Sequence, residues 1–258
     1  MTSTVITALY DIKRDTEGDG RTIDQYLTWF EKTLKLNVPM VVFTENKFKD
    51  FVLEHKKENL HLVISPLKKI PYYKYANKIS KILNSDEYKK SIAAPFRVEC
   101  KLPLYNVIQY SKFDWIVETI EKKYFDSDYY FWMDAGCSRF FQDVNIENSW
   151  PLNYNILSMD KLNIQGNWHT VSYNILDIEN YFWDTECILV GTLFGGSKDI
   201  CLNIANKVKH EFENRLKKNS VNNEQIMLGY LFKKNPELFN VYIELNGQHL
   251  PFFKKLSQ

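Results

Sequence analysis

A single carboxylate, Asp134, closes an apolar run near the middle of the chain. The run is YYFWM, residues 129–133, and the acid is followed by Ala135 and Gly136. In sheets of parallel strands, ligands bind beyond the carboxyl ends of the strands, so an acid at this point can face a cleft. Its oxygens suit Mg²⁺ or Mn²⁺ that also touches phosphates, and Gly136 lets the backbone approach a ligand closely. An Asp that only caps the strand and begins a turn is the alternative.

Strand-like and helix-like segments alternate on both sides of this acid. Apolar and β-branched runs predict strands at residues 4–10, 38–45, 60–66, 128–133 and 239–245, and a strand ending in a glycine turn at 186–197. Helices are predicted at residues 22–36, 46–58, 102–125, 198–218 and 222–236. This alternation predicts an α/β fold, a mostly parallel sheet with helices on both faces. Because no repeat or Pro/Gly-rich linker divides the chain, we expect a single domain.

The bulk composition excludes several classes of protein. Of 258 residues, 45% are hydrophobic and 25% are charged, which is typical of a globular domain, and a net charge of +1 gives no general attraction to nucleic acid. The four cysteines lie far apart without a C-x-x-C pair, which argues against a zinc site and favours a reducing compartment. Since neither a basic leader with an apolar core nor a membrane-length apolar run is visible, we expect a cytoplasmic protein.

Six short motifs, in a fixed order, resemble those of glycosyltransferases with the GT-A fold. They are TVITALYDI, VPMVVFT, QYSKFDWI, YYFWMDAG, LFGGS and NNEQIMLGY. More narrowly, the opening, the SKF-W helix and the FWMDAG strand resemble the HtrL/YibB family, also called WlaTC-like, of bacterial glycosyltransferases. The resemblance covers most of the chain, from about Thr4 to Pro236. It implies one GT-A-like domain over residues 1–258, with a nucleotide-sugar half at 1–136 and an acceptor and catalytic half at 137–258.

The resemblance also implies where a nucleotide sugar, most simply a UDP-sugar, would bind. Four residues at the end of the first strand would contact the base and ribose: Thr7, Ala8, Tyr10 and Asp11. Arg14 could reach the diphosphate as a bidentate donor, and Thr44 could contact the uracil or ribose. Lys112, on the helix before the Asp134 strand, would face the nucleotide sugar, with an exposed helix lysine as the alternative.

The resemblance leaves two roles open for Asp134. In GT-A enzymes generally, this strand ends in Asp-x-Asp, which holds a divalent metal on the donor diphosphate, whereas Gly136 stands here in place of the second Asp. Asp134 could bind Mn²⁺ or Mg²⁺ with help from water, the diphosphate and a distant residue, for which His249 is the candidate. It could instead bind the sugar or ribose without a metal.

Two further stretches resemble the donor-sugar region of the histo-blood-group A/B transferases. In LFGGS, Gly195 and Gly196 would offer backbone N–H groups to the donor, although a plain turn is the alternative. In NNEQIMLGY, the resemblance places Glu224 beneath the anomeric carbon, as a nucleophile or as a group that stabilises an oxocarbenium-like transition state. Glu224 and Asp134 are thus the predicted catalytic acids, and retention is favoured. A solvated acid at a helix N-terminus, or an inverting reaction with a carboxylate as general base, stays open.

Two less regular segments are the expected acceptor side. Residues 67–101 are basic and tyrosine-rich and predict a helical excursion over the sheet edge. Four of them would shape an acceptor site or touch a membrane surface that carries a lipid-linked acceptor: Tyr72, Tyr73, Tyr75 and Arg97. In the segment 142–185, Trp168 beside His169 could stack on a sugar, although a Trp is more often a core residue.

The expected activity is therefore sugar transfer from a nucleotide donor to a glycan or lipid-linked saccharide, as in polysaccharide biosynthesis, with no nucleic-acid partner. A non-catalytic module that binds nucleotide sugars or glycans is the alternative, because Gly136 replaces the metal-binding Asp. A phosphatase of the haloacid-dehalogenase type fits poorly. That family places Asp-x-Asp on a strand near the N-terminus, whereas Asp134 lies mid-chain.

Overall fold

Seven strands form one mixed sheet in the computed structural model, which describes residues 1–56, 58–141, 149–167, 177–244 and 250–258. The strands are β1 (Ser3–Leu9), β2 (Met40–Thr44), β3 (Leu60–Ile64), β4 (Tyr129–Met133), β5 (Leu162–Gly166), β6 (Leu189–Gly196) and β7 (Phe239–Tyr242). Their order across the sheet is β3-β2-β1-β4-β6-β5-β7. Strand β6 runs antiparallel to β4 and β5, and the other neighbouring pairs are parallel. The predicted single α/β domain with a mostly parallel sheet is confirmed.

Helices cover both faces of this sheet. They are α1 (Arg14–Glu17), α2 (Ile23–Leu34), α3 (Lys49–His55), α4 (Ala76–Asn84), α5 (Asp86–Ser91), α6 (Pro103–Glu121), α7 (Lys198–Lys217), α8 (Glu224–Lys234) and α9 (Pro251–Leu256). Residues of α4, α6, α7 and α8 share one apolar core, and residues of α2, α3 and α9 share the other. None of the helices in the described ranges is both long and apolar enough to cross a membrane.

The two-residue period of β4 explains how one apolar run serves both cores. Tyr130 and Trp132 point into the core with α6, whereas Tyr129, Phe131 and Met133 point into the core with α2. Successive side chains of a strand lie on opposite faces, so a central strand covered on both faces is apolar throughout. This burial fixes β4 in the middle of the sheet and leaves Asp134 at its carboxyl end.

Besides the short helix α1, two elements were not predicted from the sequence. Strand β5 contains the buried polar residues Asn163 and Gln165, so it lacks the apolar pattern of a central strand. Its polar side chains have hydrogen-bond partners, because the Asn163 amide donates to the carbonyl of Ser158 and Gln165 accepts from the backbone N–H of Phe252. Phe252 belongs to α9, the second unpredicted element, which completes the core on the α2 face.

The predicted glycine turn at the end of β6 is wrong. Gly195 and Gly196 are the last two residues of the strand and pair with Phe131 and Tyr130 of β4. A Cβ on Gly195 would lie 2.3 Å from the carbonyl oxygen of Tyr130, and one on Gly196 would lie 2.3 Å from Ile200. The glycines are therefore required by close packing between β6, β4 and α7, not by a turn.

Candidate functional site

Three charged side chains from separate elements meet beyond the carboxyl end of β4. The Nζ of Lys112, on α6, lies 3.0 Å from Oδ1 of Asp134 and 2.6 Å from Oε1 of Glu224, the first residue of α8. The side chains of Lys112 and Glu224 are 1% and 2% exposed, whereas that of Asp134 is 30% exposed. One ammonium group is thus held between two carboxylates, and of the three groups Asp134 faces solvent.

Lys112 is fully satisfied in this position. Besides the two carboxylates, its ammonium donates to the backbone carbonyl of Gly191 at 3.2 Å, so its three N–H bonds all have acceptors. The ring of Trp132 lies 5.5 Å away, and its indole N–H donates to Oδ1 of Asp134 at 2.7 Å. Burial lowers the pKa of Lys112, but Asp134 and Glu224 raise it more, and the net direction is upward. The alternative of an exposed helix lysine is excluded.

Glu224 is placed by the cap of its own helix. The side chain of Asn223 accepts from the backbone N–H of Ile226, which makes Asn223 the N-cap of α8. Burial raises the pKa of Glu224 to about 7, an effect that Lys112 opposes and Asp134 reinforces. Its Oε2 is buried and has no hydrogen-bond partner in the described part of the chain. The alternative of a solvated N-terminal acid is therefore wrong.

Gly191 makes room for this arrangement, and sequence reasoning missed it. A Cβ on Gly191 would lie 2.4 Å from Oε1 of Glu224, so any other residue would push the carboxylate away from β6. The backbone of Gly191 also donates to Oε1 of Gln225 at 3.1 Å. Its signal in the sequence is a glycine inside the apolar run ILVGTLF, where glycine weakens a strand and often marks a close approach.

A pocket opens beside Asp134 and Lys112, between β1, α1, α2 and α6. It encloses about 850 Å³ when the solvent at its mouth is included. Five of the predicted donor residues besides Asp134 line it: Ala8, Tyr10, Asp11, Arg14 and Lys112. Glu224 does not line it, because Lys112 lies between the pocket and its carboxylate.

Arg14 reaches the pocket from α1 and is held there by aromatic residues. Its guanidinium pairs with Asp19 through two bonds, Nε to Oδ1 at 2.9 Å and Nη2 to Oδ2 at 2.5 Å. Nη1 donates to the hydroxyl of Tyr26, and the guanidinium lies 4.9 Å from the ring centre of Tyr105. Burial lowers the pKa of Arg14 but Asp19 raises it more, so the group is charged. The two bonds to Asp19 show that this edge of the guanidinium can bind a planar anion.

Tyr10 and Asp11 lie at the other wall of the pocket, after β1. The ring of Tyr10 stacks on Trp115 at 5.6 Å, and its hydroxyl is buried with no partner among the described residues. Asp11 pairs with Lys47 at 2.8 Å. Burial raises the pKa of Asp11 but Lys47 lowers it more, so the net pKa is lowered.

Several polar residues of the pocket were missed from the sequence, among them Arg21, Arg139 and Gln109. Arg21 and Arg139 line it and add to the positive charge of Arg14. Arg139 follows Asp134 by one turn of 3₁₀ helix, and the described residues offer it no carboxylate within ion-pair distance. Gln109, one helical turn before Lys112, has a buried Oε1 without a partner in the same ranges. Only the positions of α6 and the turn after β4 bring these residues together, which the sequence alone does not show.

Four predicted donor residues lie outside this pocket. Thr7 is buried inside β1, and Thr44 is buried at the end of β2, where its hydroxyl donates to the carbonyl of Leu9 at 2.6 Å. Gly195 and Gly196 pair with the first half of β4, whereas Asp134 follows its last residue, because β6 is antiparallel. The structure therefore does not bring these four residues to Asp134.

Of the two predicted metal ligands, Asp134 is the one that lies among the residues that the structure describes. His249, Trp168 and His169 lie outside the described residues. Within them, no group of three or more His, Cys, Asp or Glu side chains could hold a metal ion. Oδ1 of Asp134 is bound by Lys112 and Trp132, which leaves Oδ2 as the one oxygen of this carboxylate that can take a further ligand.

The tyrosines of the basic segment face inward. Tyr72 is buried and packs against Tyr110 and Phe212, so the prediction that it faces a partner is wrong. The Tyr75 hydroxyl donates to Glu213, and Tyr73 packs against the same core. The remaining residue of this prediction, Arg97, pairs with Glu99 at 2.9 Å and donates to the carbonyl of Thr185. The segment covers α6 and α7 instead of presenting an aromatic surface.

Comparison with solved structures finds a distant similarity. The crystal structure of mouse xyloside xylosyltransferase 1 in its apo form matches 94% of this chain and 85% of its own, with a TM-score of 0.44 and 8% sequence identity. A similarity of this size carries no argument about function.

Comparison with sequences gives the family. No curated protein matches the chain. The family model described as "Bacterial protein of unknown function (HtrL_YibB)" matches residues 1–257. The chain therefore belongs to the HtrL_YibB family.

Proposed function

We propose that the protein is a glycosyltransferase of GT-A type that transfers a sugar from a UDP-linked donor to a hydroxyl group of a glycan or lipid-linked saccharide. The observation that carries the proposal is the Lys112 cluster, in which a buried ammonium joins Asp134 and Glu224 beside an arginine-lined pocket. A site of this kind binds a diphosphate and stabilises positive charge next to it. The sequence motifs that resemble GT-A enzymes support the same assignment.

The pocket provides the donor site in this proposal. Arg14, Arg21 and Arg139 would take the diphosphate, because guanidinium groups bind phosphate oxygens in pairs. Asp19 holds Arg14 in the absence of donor, so the diphosphate would exchange with a carboxylate of similar geometry. The ring of Tyr10 would lie beside the base and ribose. Tyr10, Arg14 and Arg21 lie in the half at residues 1–136 that is proposed to bind the nucleotide sugar, whereas Arg139 lies just beyond it.

Asp134 is the acid that faces the donor. Its Oδ2 suits one ligand position of Mn²⁺ or Mg²⁺, with the donor diphosphate and water completing the shell, since Mg²⁺ is often bound by one or two carboxylates plus substrate phosphates. When bound, such an ion would neutralise charge that develops on the leaving diphosphate. Without it, the same oxygen would accept a hydrogen bond from a sugar hydroxyl. His249 stays a prediction for a second ligand.

Glu224 is the proposed second catalytic acid, and its ion pair with Lys112 determines how much of its negative charge is compensated. The bond between the anomeric carbon and the diphosphate oxygen breaks, and its electron pair stays on the diphosphate. The negative charge that develops there attracts the Lys112 ammonium. Glu224 then carries an uncompensated negative charge that stabilises the oxocarbenium-like carbon. The acceptor oxygen bonds to that carbon, and its proton passes to the leaving diphosphate oxygen. Attack from the side of the leaving group gives the retention that we propose.

A non-catalytic module that binds nucleotide sugars is the second candidate. The observation in its favour is that Glu224 is 2% exposed and lies behind Lys112, outside the pocket lining, so a donor in the pocket would not contact its carboxylate. The two candidates differ in turnover and not in binding.

The experiment that tests the proposal measures nucleotide release. The protein is incubated with a panel of nucleotide sugars in Mn²⁺, Mg²⁺ or EDTA, with and without saccharide acceptors, beside Asp134→Asn and Glu224→Gln. Slow release from one donor that both substitutions abolish would support a transferase, and sensitivity to EDTA would assign Asp134 to a metal. Thermal stabilisation by a nucleotide without release would favour the binding module. If no nucleotide stabilises the protein or is released, the transferase proposal is wrong.

A further inference from the structure

A second pocket lies on the outside of the helical layer, and no residue of it lines the first. It is formed by α4, α5, the 3₁₀ turn Asn180–Trp183 and the end of α7, and encloses about 790 Å³ with the solvent at its mouth. The part of the chain that contributes most to it, residues 67–101, holds nine Lys or Arg and three Asp or Glu, although the whole chain has a net charge of only +1. Two of these nine basic residues, Lys78 and Lys81, line the pocket.

Three ammonium groups line the pocket from two elements. Lys78 and Lys81 lie one turn apart on α4, and Lys218 follows the last residue of α7. Lys218 pairs with Glu179 at 3.5 Å, whereas the described residues give Lys78 and Lys81 no carboxylate partner. Glu87 is the one acid in the lining, and it forms no ion pair with these lysines. Like charges that converge without a carboxylate between them favour an anionic ligand.

One further donor and one aromatic ring distinguish this pocket from a merely electrostatic patch. Nζ of Lys78 lies 2.6 Å from Oδ1 of Asn219, and an ammonium needs an acceptor, so this contact leaves the amide N–H₂ of Asn219 as an available donor. Asn219 sits in the left-handed region with φ at 52°, which turns the chain at the end of α7 and brings its side chain to the pocket. The half-buried ring of Trp183 packs on Tyr88 at 5.8 Å and supplies a fixed aromatic wall.

We propose that this second pocket binds a phosphorylated sugar. Lys78, Lys81 and Lys218 would hold the phosphate, the Asn219 amide would donate to it, and the sugar ring would lie on Trp183. A free phosphate uses the ammonium groups and the Asn219 amide, whereas a sugar phosphate also uses the aromatic wall. The proposal is independent of the transferase reaction, because no residue of this pocket belongs to the Lys112 cluster.

The experiment follows the indole N–H signal of Trp183 by NMR. Trp183→Phe identifies the signal by removing it, and the protein is titrated with glucose 6-phosphate, glucose and inorganic phosphate. We expect glucose 6-phosphate to shift the signal saturably, glucose to leave it unchanged, and inorganic phosphate to bind several-fold more weakly. No saturable shift with glucose 6-phosphate would overturn the proposal.

A matched pair of variants separates a built site from a basic surface. Lys78→Ala with Lys81→Ala should weaken glucose 6-phosphate binding by about tenfold, as expected from the loss of charge-assisted hydrogen bonds. Lys89→Ala with Lys90→Ala removes the same charge from α5 at exposed residues outside the pocket lining, and should change the affinity by less than about twofold, because salt screens distant charges. Equal weakening in both double variants would overturn the proposal.

The phosphate could belong to a soluble saccharide or to a lipid headgroup. Vesicles of phosphatidylinositol and phosphatidylcholine, compared with phosphatidylcholine alone, distinguish the two. Vesicle binding that glucose 6-phosphate displaces, and that the Lys78 and Lys81 variant loses, assigns the pocket to a lipid headgroup. A shift with glucose 6-phosphate and no vesicle binding assigns it to a soluble or glycan-borne phosphate.

Discussion

The ammonium nitrogen of Lys112 lies 2.6 Å from Oε1 of Glu224, and both side chains are almost completely buried. Asp134 binds the same ammonium from the solvent side at 3.0 Å. Two carboxylates and one ammonium carry a formal charge of −1 when all are ionised. The cluster therefore favours positive charge in the adjoining pocket, whereas the surrounding arginines favour anions. This combination suits a polarised bond such as that between a sugar and a diphosphate.

Replacing Lys112 by Met should destabilise the fold severely. The substitution leaves Glu224 buried without its partner, and removing one member of a buried ion pair costs about 3–5 kcal/mol. Urea denaturation at neutral pH measures the loss. Lys122→Met is the control, because Lys122 pairs with Glu118 at the exposed end of the same helix, where solvent screens the pair and its loss changes stability little. Similar losses in both variants would contradict the role given to Lys112.

The stability of the protein should carry a pH dependence that belongs to Glu224. Burial, the largest influence, raises its pKa in the folded state to about 7, above the ordinary value of 4.5. Between these values the folded state binds more protons than the unfolded state, so the contribution of Glu224 is fully present below pH 4.5 and is lost as the pH rises through about 7. The free energy of unfolding should fall over this window in the wild type relative to Glu224→Gln.

The measurement is urea denaturation of both proteins at several pH values across that window. Glu121→Gln, at an exposed position at the end of α6, is the control and should run parallel to the wild type. A difference between wild type and Glu224→Gln that does not vary with pH would show that Glu224 ionises in the folded state as it does in the unfolded one.

Gly191→Ala should disturb the site without removing any of its charged groups. The new Cβ would lie 2.4 Å from Oε1 of Glu224, so the carboxylate or the strand has to move. Overpacking of this kind costs about 1–3 kcal/mol and should lower nucleotide release if the proposed function is correct. Thr192→Ser, at the next residue of β6, is the control and should keep both stability and release. Wild-type values for Gly191→Ala would show that the glycine is not required.

Most of the fold could be predicted from local patterns, whereas the site could not. The apolar run at 129–133 identified β4 and its acid, because all five residues of β4 are buried and the first charged side chain comes where the strand leaves the core. Strand β5 was missed because Asn163 and Gln165 are stabilised by partners distant in sequence, including Gly195 and Phe252. Local periodicity contains no information about such partners.

For the site, too, individual residues could be predicted from the sequence, whereas their arrangement could not. Asp134 was predicted from its position at the end of a strand, and Lys112 and Glu224 were predicted from the resemblance to known glycosyltransferases. Lys112 separates Glu224 from the pocket because of the way in which α6 and α8 pack against β6 at Gly191. Gly195 and Gly196 were misplaced because the direction of β6, antiparallel to β4, is not visible in its sequence.

Arg14 and Asp19 give the last prediction, which concerns nucleotide binding. If the diphosphate exchanges with Asp19 on the Arg14 guanidinium, Arg14→Lys should weaken UDP binding by about tenfold, because an ammonium cannot make the bidentate contact. Asp19→Asn should have the opposite effect and tighten UDP binding, because it weakens the competitor and leaves Arg14 in place.

Calorimetric titration with UDP and with uridine separates the two contributions. Uridine has no phosphate, so both substitutions should leave its affinity unchanged, and a change would mean that the loop itself had been disturbed. Weaker UDP binding in Asp19→Asn would contradict the exchange and would indicate that the ion pair positions Arg14 instead of competing for it. Because Asp19 also lies 3.5 Å from Arg21, the effect of Asp19→Asn should shrink when Arg21 is replaced by Gln.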